Sequence, residues 1–372
     1  MKFRRILTMG LALVMMGGLF GCGGAEEKKE KTSVKHKVTA SNVRAYGRNE
    51  IGAATVNANW VNSGIEVSFV GEELALEITV PSFAEGEGPY TQVWIDGERA
   101  ERIKMLADRN SYTVAKGLSY GEHKVKVLMV TENMYTPLSF NTLKISAKGG
   151  EPKLLAPEKD ETQLVFDVYG DSITAGFGTI PGYPDGYRTQ DQDSSLTYAY
   201  RTVEHFGGDG NFIAISGWGC YQGYGPDRNG RIPRIWRYAS MPSQQEWDFS
   251  NRKADIVIVS LGTNDAWFWT KDMPQQDFID AYLDFLGELR AEYPTAQFYC
   301  VHGMMDETFR EVVKEAARQY SEKDAIGAVY VDMPNMSEKP EYMGSGGHPS
   351  GSFGEYASKT LIKAIEENYK RK

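Results

Sequence analysis

Cysteine and histidine are scarce in this chain, which has three cysteines and five histidines among 372 residues. So few cysteines exclude the disulfide frameworks that hold small secreted domains together. Beyond the N-terminal segment, only Cys220 and Cys300 remain. One disulfide between them is an interpretation open to a protein outside the cytoplasm, and two buried thiols are the simpler interpretation.

Motifs for metals and phosphates are also missing. The chain has no His-Glu-x-x-His, no Cys-x-x-Cys and no glycine-rich loop leading to a lysine, the spacings that are typical of zinc sites and phosphate-binding loops. We therefore expect a protein that uses no metal and no other cofactor.

The chain has fewer basic than acidic residues, with 41 Lys and Arg against 50 Asp and Glu, which gives a net charge of −9. Binding to the phosphates of nucleic acid needs clustered Lys and Arg. The acidic balance therefore argues against a nucleic-acid partner.

The N-terminal apolar run, residues 6–20, is shorter than the roughly 20 residues that a membrane-spanning helix needs. Basic residues precede it, and Leu19-Phe20-Gly21-Cys22 stands at its end. A basic region, an apolar region and small residues at the cleavage point are the order of a secretory signal.

The Leu-x-Gly-Cys sequence resembles the bacterial lipoprotein signal, which implies that Cys22 carries lipid and becomes the mature N-terminus. Residues 1–22 are then the signal, and the charged residues 23–35 are a tether. We expect an extracytoplasmic protein, at the cell surface or in the periplasm, that meets the membrane only through this lipid. The alternatives are an ordinary secretory signal with a chance cysteine, or a retained transmembrane anchor.

Residues 36–148 are predicted to form an all-β domain. Short alternating runs of strand length are separated by turn sequences such as Asp96-Gly97, which is typical of a β-sandwich or jelly roll. The predicted strands are 64–70, 74–80, 90–95, 124–130 and 143–146. Residues 149–161, rich in glycine and proline, form the predicted linker.

Residues 162–372 follow a different pattern, in which apolar runs of strand length alternate with helical periods. This alternation predicts a doubly wound parallel sheet with helices on both faces, in three layers. The predicted strands are 164–169, 212–215, 256–261, 297–301 and 328–331. Sites in such sheets form at the carboxyl ends of the strands, so the polar motifs there are the candidates for function.

Two of these motifs follow the first two strands. Gly170-Asp171-Ser172 places Ser172 just past a buried strand, where it is either a nucleophile or the N-cap of a helix. Ser216-Gly217-Trp218-Gly219 has glycines that allow close approach of a ligand to the backbone and leave an N–H free. The alternative for this second motif is an ordinary turn.

Two more motifs come later in the chain. Asn264, after the third strand, either donates its side-chain amide to an oxyanion or closes an Asx turn. His348 precedes Pro349, a residue suited to the first position of a helix. It is therefore either a catalytic base or a capping or surface histidine.

Together these residues match the needs of acyl transfer, namely a hydroxyl nucleophile, a base and donors for the oxyanion. Ser172 is the predicted nucleophile and His348 the predicted base. The predicted oxyanion hole consists of the Ser172 N–H, the Gly219 N–H and the Asn264 side chain, with Gly217 as the alternative to Gly219.

The order Ser, Gly, Asn, His, with Gly-Asp-Ser, Gly-Thr-Asn-Asp and Gly-His-Pro, resembles the SGNH (GDSL-type) hydrolases over residues 162–372. The resemblance implies their flavodoxin-like, three-layer fold and their activity as carboxylic-ester hydrolases.

The β domain narrows the resemblance to carbohydrate esterase family two. The chain is similar to that family in Trp94-Ile95-Asp96-Gly97, in Gly121-Glu122-His123-Lys124-Val125 and in Ser216-Gly217-Trp218-Gly219. The resemblance implies removal of acetyl groups from plant polysaccharides such as xylan or glucomannan, with a preference for O-6. An acetyl-serine intermediate and an acetylated polysaccharide or oligosaccharide as substrate follow from it.

The chain departs from many SGNH enzymes at Ser345, where they have an aspartate that orients the histidine. Family two includes members without this acid, in which a backbone carbonyl holds the ring. Our hypothesis is that a main-chain carbonyl of residues 344–347 holds His348, since glycine allows the turn. Ser345 and Asp332, at the end of the fifth strand, are the alternatives.

Aromatic residues on the strand-end loops are candidates for stacking on sugar rings. Trp218 and Tyr224 follow the second strand and Trp267 follows the third. Each could equally belong to the core, where aromatic residues usually lie.

Two other functions compete with polysaccharide deacetylation. One is a lipid or thioester acyl hydrolase of the same fold, which would need a long apolar slot. The other is a glycan-binding lipoprotein with an inactive hydrolase domain, which the intact Ser172, Asn264 and His348 argue against.

Overall fold

The computed structural model describes residues 30–370 apart from 85–86, 133–136, 159, 161, 183–187, 226–228 and 251–252. The predicted signal and the candidate lipidation site Cys22 lie outside the described residues. No helix within these ranges has the length and apolar character to cross a membrane.

The N-terminal part is a β-sandwich of two antiparallel six-stranded sheets. One sheet has the order β3-β4-β11-β6-β9 with β1 also on β11, and the other has the order β12-β5-β10-β7-β8 with β2 also on β5. The strands are β1 Thr32–Lys37, β2 Arg44–Tyr46, β3 Asn49–Gly52, β4 Thr55–Ala58, β5 Gly64–Gly71, β6 Glu73–Thr79, β7 Tyr90–Ile95, β8 Glu98–Lys104, β9 Ser111–Ala115, β10 Gly121–Met129, β11 Leu138–Ala147 and β12 Lys153–Leu154.

Alternation along each strand explains the sandwich. In β6, Leu74, Leu76 and Ile78 are buried between the sheets, while the intervening residues are partly exposed. Asp96 and Gly97, which join β7 to β8, both have positive φ (53° and 88°), as a two-residue hairpin turn of type I′ requires. The first strand begins in the segment predicted as tether and continues into the predicted β domain, and the twelfth lies within the predicted linker.

The C-terminal part is a parallel sheet of five strands in the order β14-β13-β15-β16-β17. This is the flavodoxin-like order, and it confirms the predicted fold class. The strands are β13 Val165–Gly170, β14 Asp209–Ala214, β15 Ile256–Ser260, β16 Gln297–His302 and β17 Ala328–Asp332. The helices are α1 Ser172–Ala175, α2 Tyr198–His205, α3 Thr263–Trp267, α4 Gln275–Glu292, α5 Arg310–Ser321 and α6 Gly351–Asn368.

Helices cover both faces of this sheet. The buried sides of α4 and α5 join one hydrophobic core, and those of α2 and α6 join the other. The five residues of β15 are all buried, as expected for a strand covered on both faces. The chain leaves β13 in one direction, to β14, and later returns to β15 on its other side. Ligands bind at such a switch point.

Two tryptophans of the sandwich continue the cores of the parallel-sheet domain. Trp60 is buried in the core that contains α4 and α5, and Trp94 in the core that contains α2 and α6. Residues 31–372 therefore form one compact unit.

A buried arginine also crosses the boundary between the domains. Arg48, between β2 and β3, is fully buried, and its Nη2 donates to Asp167 Oδ2 at 2.7 Å and to the hydroxyl of Tyr169 at 2.8 Å, both on β13. The hydroxyl of Tyr293 is 3.2 Å away, and Nη1 donates to the carbonyl of Trp236. The sandwich thus supplies the countercharge of a carboxylate on β13, an interior strand of the other domain's sheet.

We predict that Arg48→Met lowers the free energy of unfolding by about 3–5 kcal/mol, because Asp167 then keeps a buried charge without its partner. Urea denaturation measures the change. Lys35→Met is the control, since Lys35 pairs at 3.0 Å with Glu77 at the exposed face of the sandwich, where a pair contributes about 1 kcal/mol or less. Equal losses in the two variants would contradict the prediction.

Candidate active site

Ser172 begins α1 directly beyond the carboxyl end of β13. The N-cap of this helix is Asp171, whose Oδ1 accepts from the N–H of Ile173 at 3.0 Å. The alternative that Ser172 is itself the N-cap is therefore wrong. Its hydroxyl has a different partner, the ring of His348.

His348 links the serine to a main-chain carbonyl. Its Nε2 lies 2.9 Å from Ser172 Oγ, and its Nδ1 lies 2.9 Å from the carbonyl oxygen of Gly346. A carbonyl only accepts hydrogen bonds, so in this contact Nδ1 carries the proton and donates. In the neutral ring, Nε2 is then the acceptor for the Ser172 hydroxyl, which is the arrangement of a general base and its nucleophile.

The backbone between residues 344 and 348 brings this carbonyl to the ring. Gly346 and Gly347 have φ of 59° and 68°, a left-handed conformation that side chains disfavour. The turn is closed at both ends by the N–H of Gly344 on the carbonyl of His348, at 2.7 Å, and the N–H of His348 on the carbonyl of Ser345, at 3.2 Å. Two consecutive glycines therefore provide the acceptor that a carboxylate provides elsewhere.

The two side chains considered as orienters have other partners. Ser345 Oγ donates to the carbonyl of Ile180 at 3.0 Å. Asp332 pairs with Arg310, and its side chain is 64% exposed. Both ring nitrogens of His348 are already engaged by other groups, so the geometry agrees with the main-chain hypothesis and not with either side chain.

Asn264 lies in α3, next to the serine. Its Nδ2 donates to the carbonyl of Trp218 at 2.8 Å and is 3.4 Å from Asp171 Oδ2. The second of these contacts is long for a hydrogen bond, which leaves the second amide hydrogen available to a developing oxyanion. The N–H of Ser172 makes no hydrogen bond with the described residues and is also available.

The glycine donor differs from the one favoured by sequence. The N–H of Gly219 donates to the carbonyl of Gly230 at 3.0 Å and is therefore engaged. Gly217 has φ of 78°, and its N–H makes no hydrogen bond within the described part of the chain. Its carbonyl accepts from the N–H of Tyr224 at 2.6 Å, which holds the turn. The geometry favours Gly217, the alternative, as the donor.

Asp265 is a structural residue of the site that sequence reasoning missed. Its carboxylate accepts from the N–H groups of Cys220, Tyr221 and Gln222 at 2.7–2.9 Å. It therefore ties the loop after Gly219 to the helix that carries Asn264. The signal for it was its place as the last residue of Gly-Thr-Asn-Asp.

The electrostatics of the site keep the histidine neutral. Burial lowers the pKa of His348, against the opposing effect of the Gly346 carbonyl. Burial also raises the pKa of Asp171 to about 7, with the nearby charges of Asp265 and Glu132 adding to the rise. Because the folded-state pKa of His348 lies below its ordinary value of about 6.5, the ring is a base at neutral pH.

The candidate sugar-stacking residues separate into two groups. Tyr224 and Trp267 are 59% and 68% exposed, and their ring centroids lie 6.0 Å apart. Phe268 packs edge-on against Tyr224 at 5.1 Å. Trp218 is half-buried and packs against the core on the α4 side, so less of its ring is available for stacking.

Cys220 and Cys300 are buried free thiols, which agrees with the simpler of the two interpretations. Among the described residues, no group of three or more His, Cys, Asp or Glu side chains is arranged to hold a metal ion.

The serine is hydrogen-bonded to a neutral histidine, and amide donors surround it at the switch point of a flavodoxin-like sheet. This arrangement defines a serine hydrolase of the SGNH type. Comparison with known families agrees with this class. The family model described as "Carbohydrate esterase 2 N-terminal" matches residues 45–157, and the one described as "GDSL-like Lipase/Acylhydrolase family" matches residues 168–352. The chain is an SGNH (GDSL-type) hydrolase, a carboxylic-ester hydrolase by family, and is most like carbohydrate esterase family two.

Individual proteins with this architecture are similar to the chain along most of its length. It is 28% identical over 314 residues to "Cellulase/esterase CelE" of Acetivibrio thermocellus, a match that covers 82% of this chain and 37% of CelE. It is 20% identical over 298 residues to the "Acetylxylan esterase / glucomannan deacetylase" of Cellvibrio japonicus, covering 78% of this chain and 80% of that protein. This chain thus spans only about a third of the length of CelE.

A solved structure of a family two carbohydrate esterase from Clostridium thermocellum, in complex with cellohexaose, has a TM-score of 0.79 to this chain at 25% identity. The match covers 87% of this chain and 98% of that one. Both domains are therefore shared.

We predict that Ser345→Ala changes kcat/KM for p-nitrophenyl acetate by less than about threefold, because the Ser345 hydroxyl bonds Ile180 and not the ring. Its hydrogen bond to Ile180 contributes about 0.5–1.5 kcal/mol to stability. Steady-state kinetics check this, with His348→Ala as the inactive reference. A loss of several orders of magnitude would instead make Ser345 the group that orients the histidine.

Proposed function

We propose that this protein is a serine esterase that removes O-acetyl groups from plant-type polysaccharides such as xylan or glucomannan, with a preference for O-6. The observation that carries the proposal is the Ser172–His348–Gly346 relay in a chain that matches both domains of the family. Two relatives, a cellulase/esterase and an acetylxylan esterase / glucomannan deacetylase, support the substrate class.

Acylation begins when Ser172 Oγ attacks the acetyl carbonyl. The hydroxyl proton passes to His348 Nε2, and the carbonyl oxygen becomes an oxyanion held by the donors described above. Removal of one such donor typically costs about 3–4 kcal/mol in the barrier. As the tetrahedral intermediate collapses, the imidazolium gives its proton to the departing sugar oxygen, leaving an acetyl-serine.

Deacylation repeats the same steps with water. His348 takes a proton from the water, the resulting hydroxide attacks the acetyl carbonyl, and the oxyanion forms in the same place. Collapse releases acetate, and the proton returns through His348 to Ser172 Oγ. The free enzyme is restored without a cofactor.

A neutral carbonyl is a weaker partner for the imidazolium than a carboxylate. Two features of the reaction compensate for this. The leaving group is an alkoxide, which departs more easily than the amine of a peptide. The partner still sets the tautomer by accepting from Nδ1, and a wrong tautomer is the main penalty when an orienting aspartate loses its acceptor.

Tyr224 and Trp267 suit a carbohydrate substrate because their exposed rings offer apolar faces to the C–H groups of a sugar. The backbone of Tyr224 bonds Gly217, and Trp267 is the last residue of the helix that carries Asn264. A sugar stacked on them lies beside the reacting ester. This platform favours a glycan over a lipid acyl chain.

The proposal includes a location. The N-terminal pattern that ends at Cys22 supports lipid anchoring outside the cytoplasm, where an insoluble polysaccharide is accessible. The charged residues that follow would separate the enzyme from the membrane.

We predict that the wild-type protein releases acetate from acetylated xylan or glucomannan and that Ser172→Ala abolishes the release, because the nucleophile is gone. Enzymatic assay of free acetate measures both. Equal release by the two proteins would overturn the serine mechanism. Binding to the polysaccharide without any release by the wild type would favour the glycan-binding alternative.

We predict that Trp267→Ala raises KM for the acetylated polysaccharide by about threefold to tenfold, since an aromatic contact contributes about 0.5–1.5 kcal/mol. Hydrolysis of p-nitrophenyl acetate, which has no sugar to stack, should be unchanged. Tyr120→Ala is the matched control, because Tyr120 is an exposed aromatic residue of the sandwich that contacts Glu151. A polysaccharide KM that stays at the wild-type value would remove Trp267 from the substrate site.

A further inference from the structure

A carboxylate of the sandwich reaches the active site of the other domain. Glu132 lies three residues beyond the end of β10, and its Oε1 accepts from the N–H of Ser216 at 2.5 Å. Its Oε2 accepts from the hydroxyl of Ser216 at 2.5 Å and from Nε2 of Gln192 at 3.0 Å. Ser216 directly precedes Gly217, the candidate oxyanion donor.

The position of Glu132 is itself well determined. Its N–H donates to Gln192 Oε1 at 3.0 Å, so the backbone and the side chain of Glu132 both form hydrogen bonds with one fully buried glutamine. The carbonyl of Val130 accepts from the N–H of Ser194 at 2.9 Å. Gln192 Nε2 also donates at 3.0 Å to the carbonyl of Ala175, the last residue of α1. The carboxylate is thereby connected to the short helix that begins with Ser172.

The contact with Ser216 restricts the backbone next to the Gly217 N–H. That N–H belongs to the peptide group between the two residues, and Glu132 holds both donors of Ser216. On the other side, the Gly217 carbonyl is held by the N–H of Tyr224, at 2.6 Å. The peptide between these two anchors has little freedom to rotate.

We propose that Glu132 is a positioning residue for the reaction, which the β domain supplies to aim the Gly217 N–H at the acyl oxygen bound by Ser172. The inference rests on the ester-hydrolysis part of the proposed function. Without Glu132, the turn would keep its glycine and lose its register against the nucleophile. A displacement of about 1 Å in such a site costs on the order of a hundredfold in rate.

The arrangement of donors suits a carboxylate specifically. Three hydrogens point at its two oxygens, and none of its partners needs a donor in return. A glutamine would turn an amide NH₂ toward at least one of these hydrogens. Burial raises the pKa of Glu132, which the hydrogen bonds from Ser216 and Gln192 oppose. The nearby charge of Glu132 in turn contributes to the raised pKa of Asp171, the N-cap of α1.

The experiment compares Glu132→Ala and Glu132→Gln with the wild type in hydrolysis of p-nitrophenyl acetate. We expect kcat to fall about a hundredfold in Glu132→Ala and about tenfold in Glu132→Gln, with KM changed by less than about twofold. Glu122→Gln is the matched control, because Glu122 is an exposed glutamate on β10, and it should match the wild type. Thermal melting confirms that each variant is folded.

A second readout separates aiming from general stability. Diethyl p-nitrophenyl phosphate phosphorylates an active serine and places its phosphoryl oxygen where the oxyanion forms. Its rate of inactivation should fall in Glu132→Ala in parallel with kcat. Ser216→Ala should lower kcat by itself and add little in the Glu132→Ala background, since the two groups act through one contact.

Three outcomes would overturn the inference. One is a folded Glu132→Ala with wild-type kcat and inactivation rate. Another is a loss confined to KM, and the third is an equal loss in Glu122→Gln. A wild-type protein that fails to hydrolyse the ester would instead overturn the proposed function and, with it, this role of Glu132.

Discussion

The ion pair between Arg48 and Asp167 is the constraint on which the arrangement of the two domains depends. A guanidinium withdrawn from water is tolerated only beside its countercharge and with most of its N–H groups hydrogen-bonded. Arg48 finds the charge and most of its acceptors on the parallel-sheet domain, 119 residues away from it in the case of Asp167. This ion pair therefore fixes one position of the sandwich against that domain. Since Trp60 and Trp94 complete the cores on either side of the sheet, polar and apolar contacts specify the same position.

The geometry of the active site depends in part on this fixed position of the sandwich. The sheet brings Ser172 and Asn264 together because the strands before them are neighbours, and the loop before α6 carries His348 to the same edge. These elements belong to one domain. The turn at Gly217 is different, since Glu132 holds it from the sandwich. The orientation of the base is more local, because Gly346 accepts from the ring within the same short turn. The site thus combines a contact between residues two apart in sequence, His348 and Gly346, with contacts between residues far apart in sequence, such as Ser216 and Glu132.

Sequence reasoning was successful where periodicity or a compact motif carried the information. The five parallel strands follow from apolar runs. Ser172 and Asn264 were singled out by their places after strands, and His348 by its place before Pro349 and the last helix. The sequence could not distinguish Gly219 from Gly217 as the donor, because both glycines permit the turn. The one that is engaged is decided by the carbonyl of Gly230, across a loop. Arg48 and Glu132 were missed for a related reason. Each is a single charged residue in an irregular segment. No neighbouring sequence pattern indicates its partner, which lies 84 residues away for Glu132 and 119 for Arg48.

The reach of residues 130–132 across the boundary has a consequence for recombination between related genes. Residues 155–158, just after the last strand of the sandwich, look like a natural junction, and an exchange there would deliver an intact sandwich and an intact hydrolase fold. It would also pair the carboxylate of one parent with the serine turn of another. Functional chimeras must therefore match at two distant positions on opposite sides of the crossover. The two domains must therefore be exchanged together to keep a working catalyst, although the linker between them suggests that they could be exchanged separately.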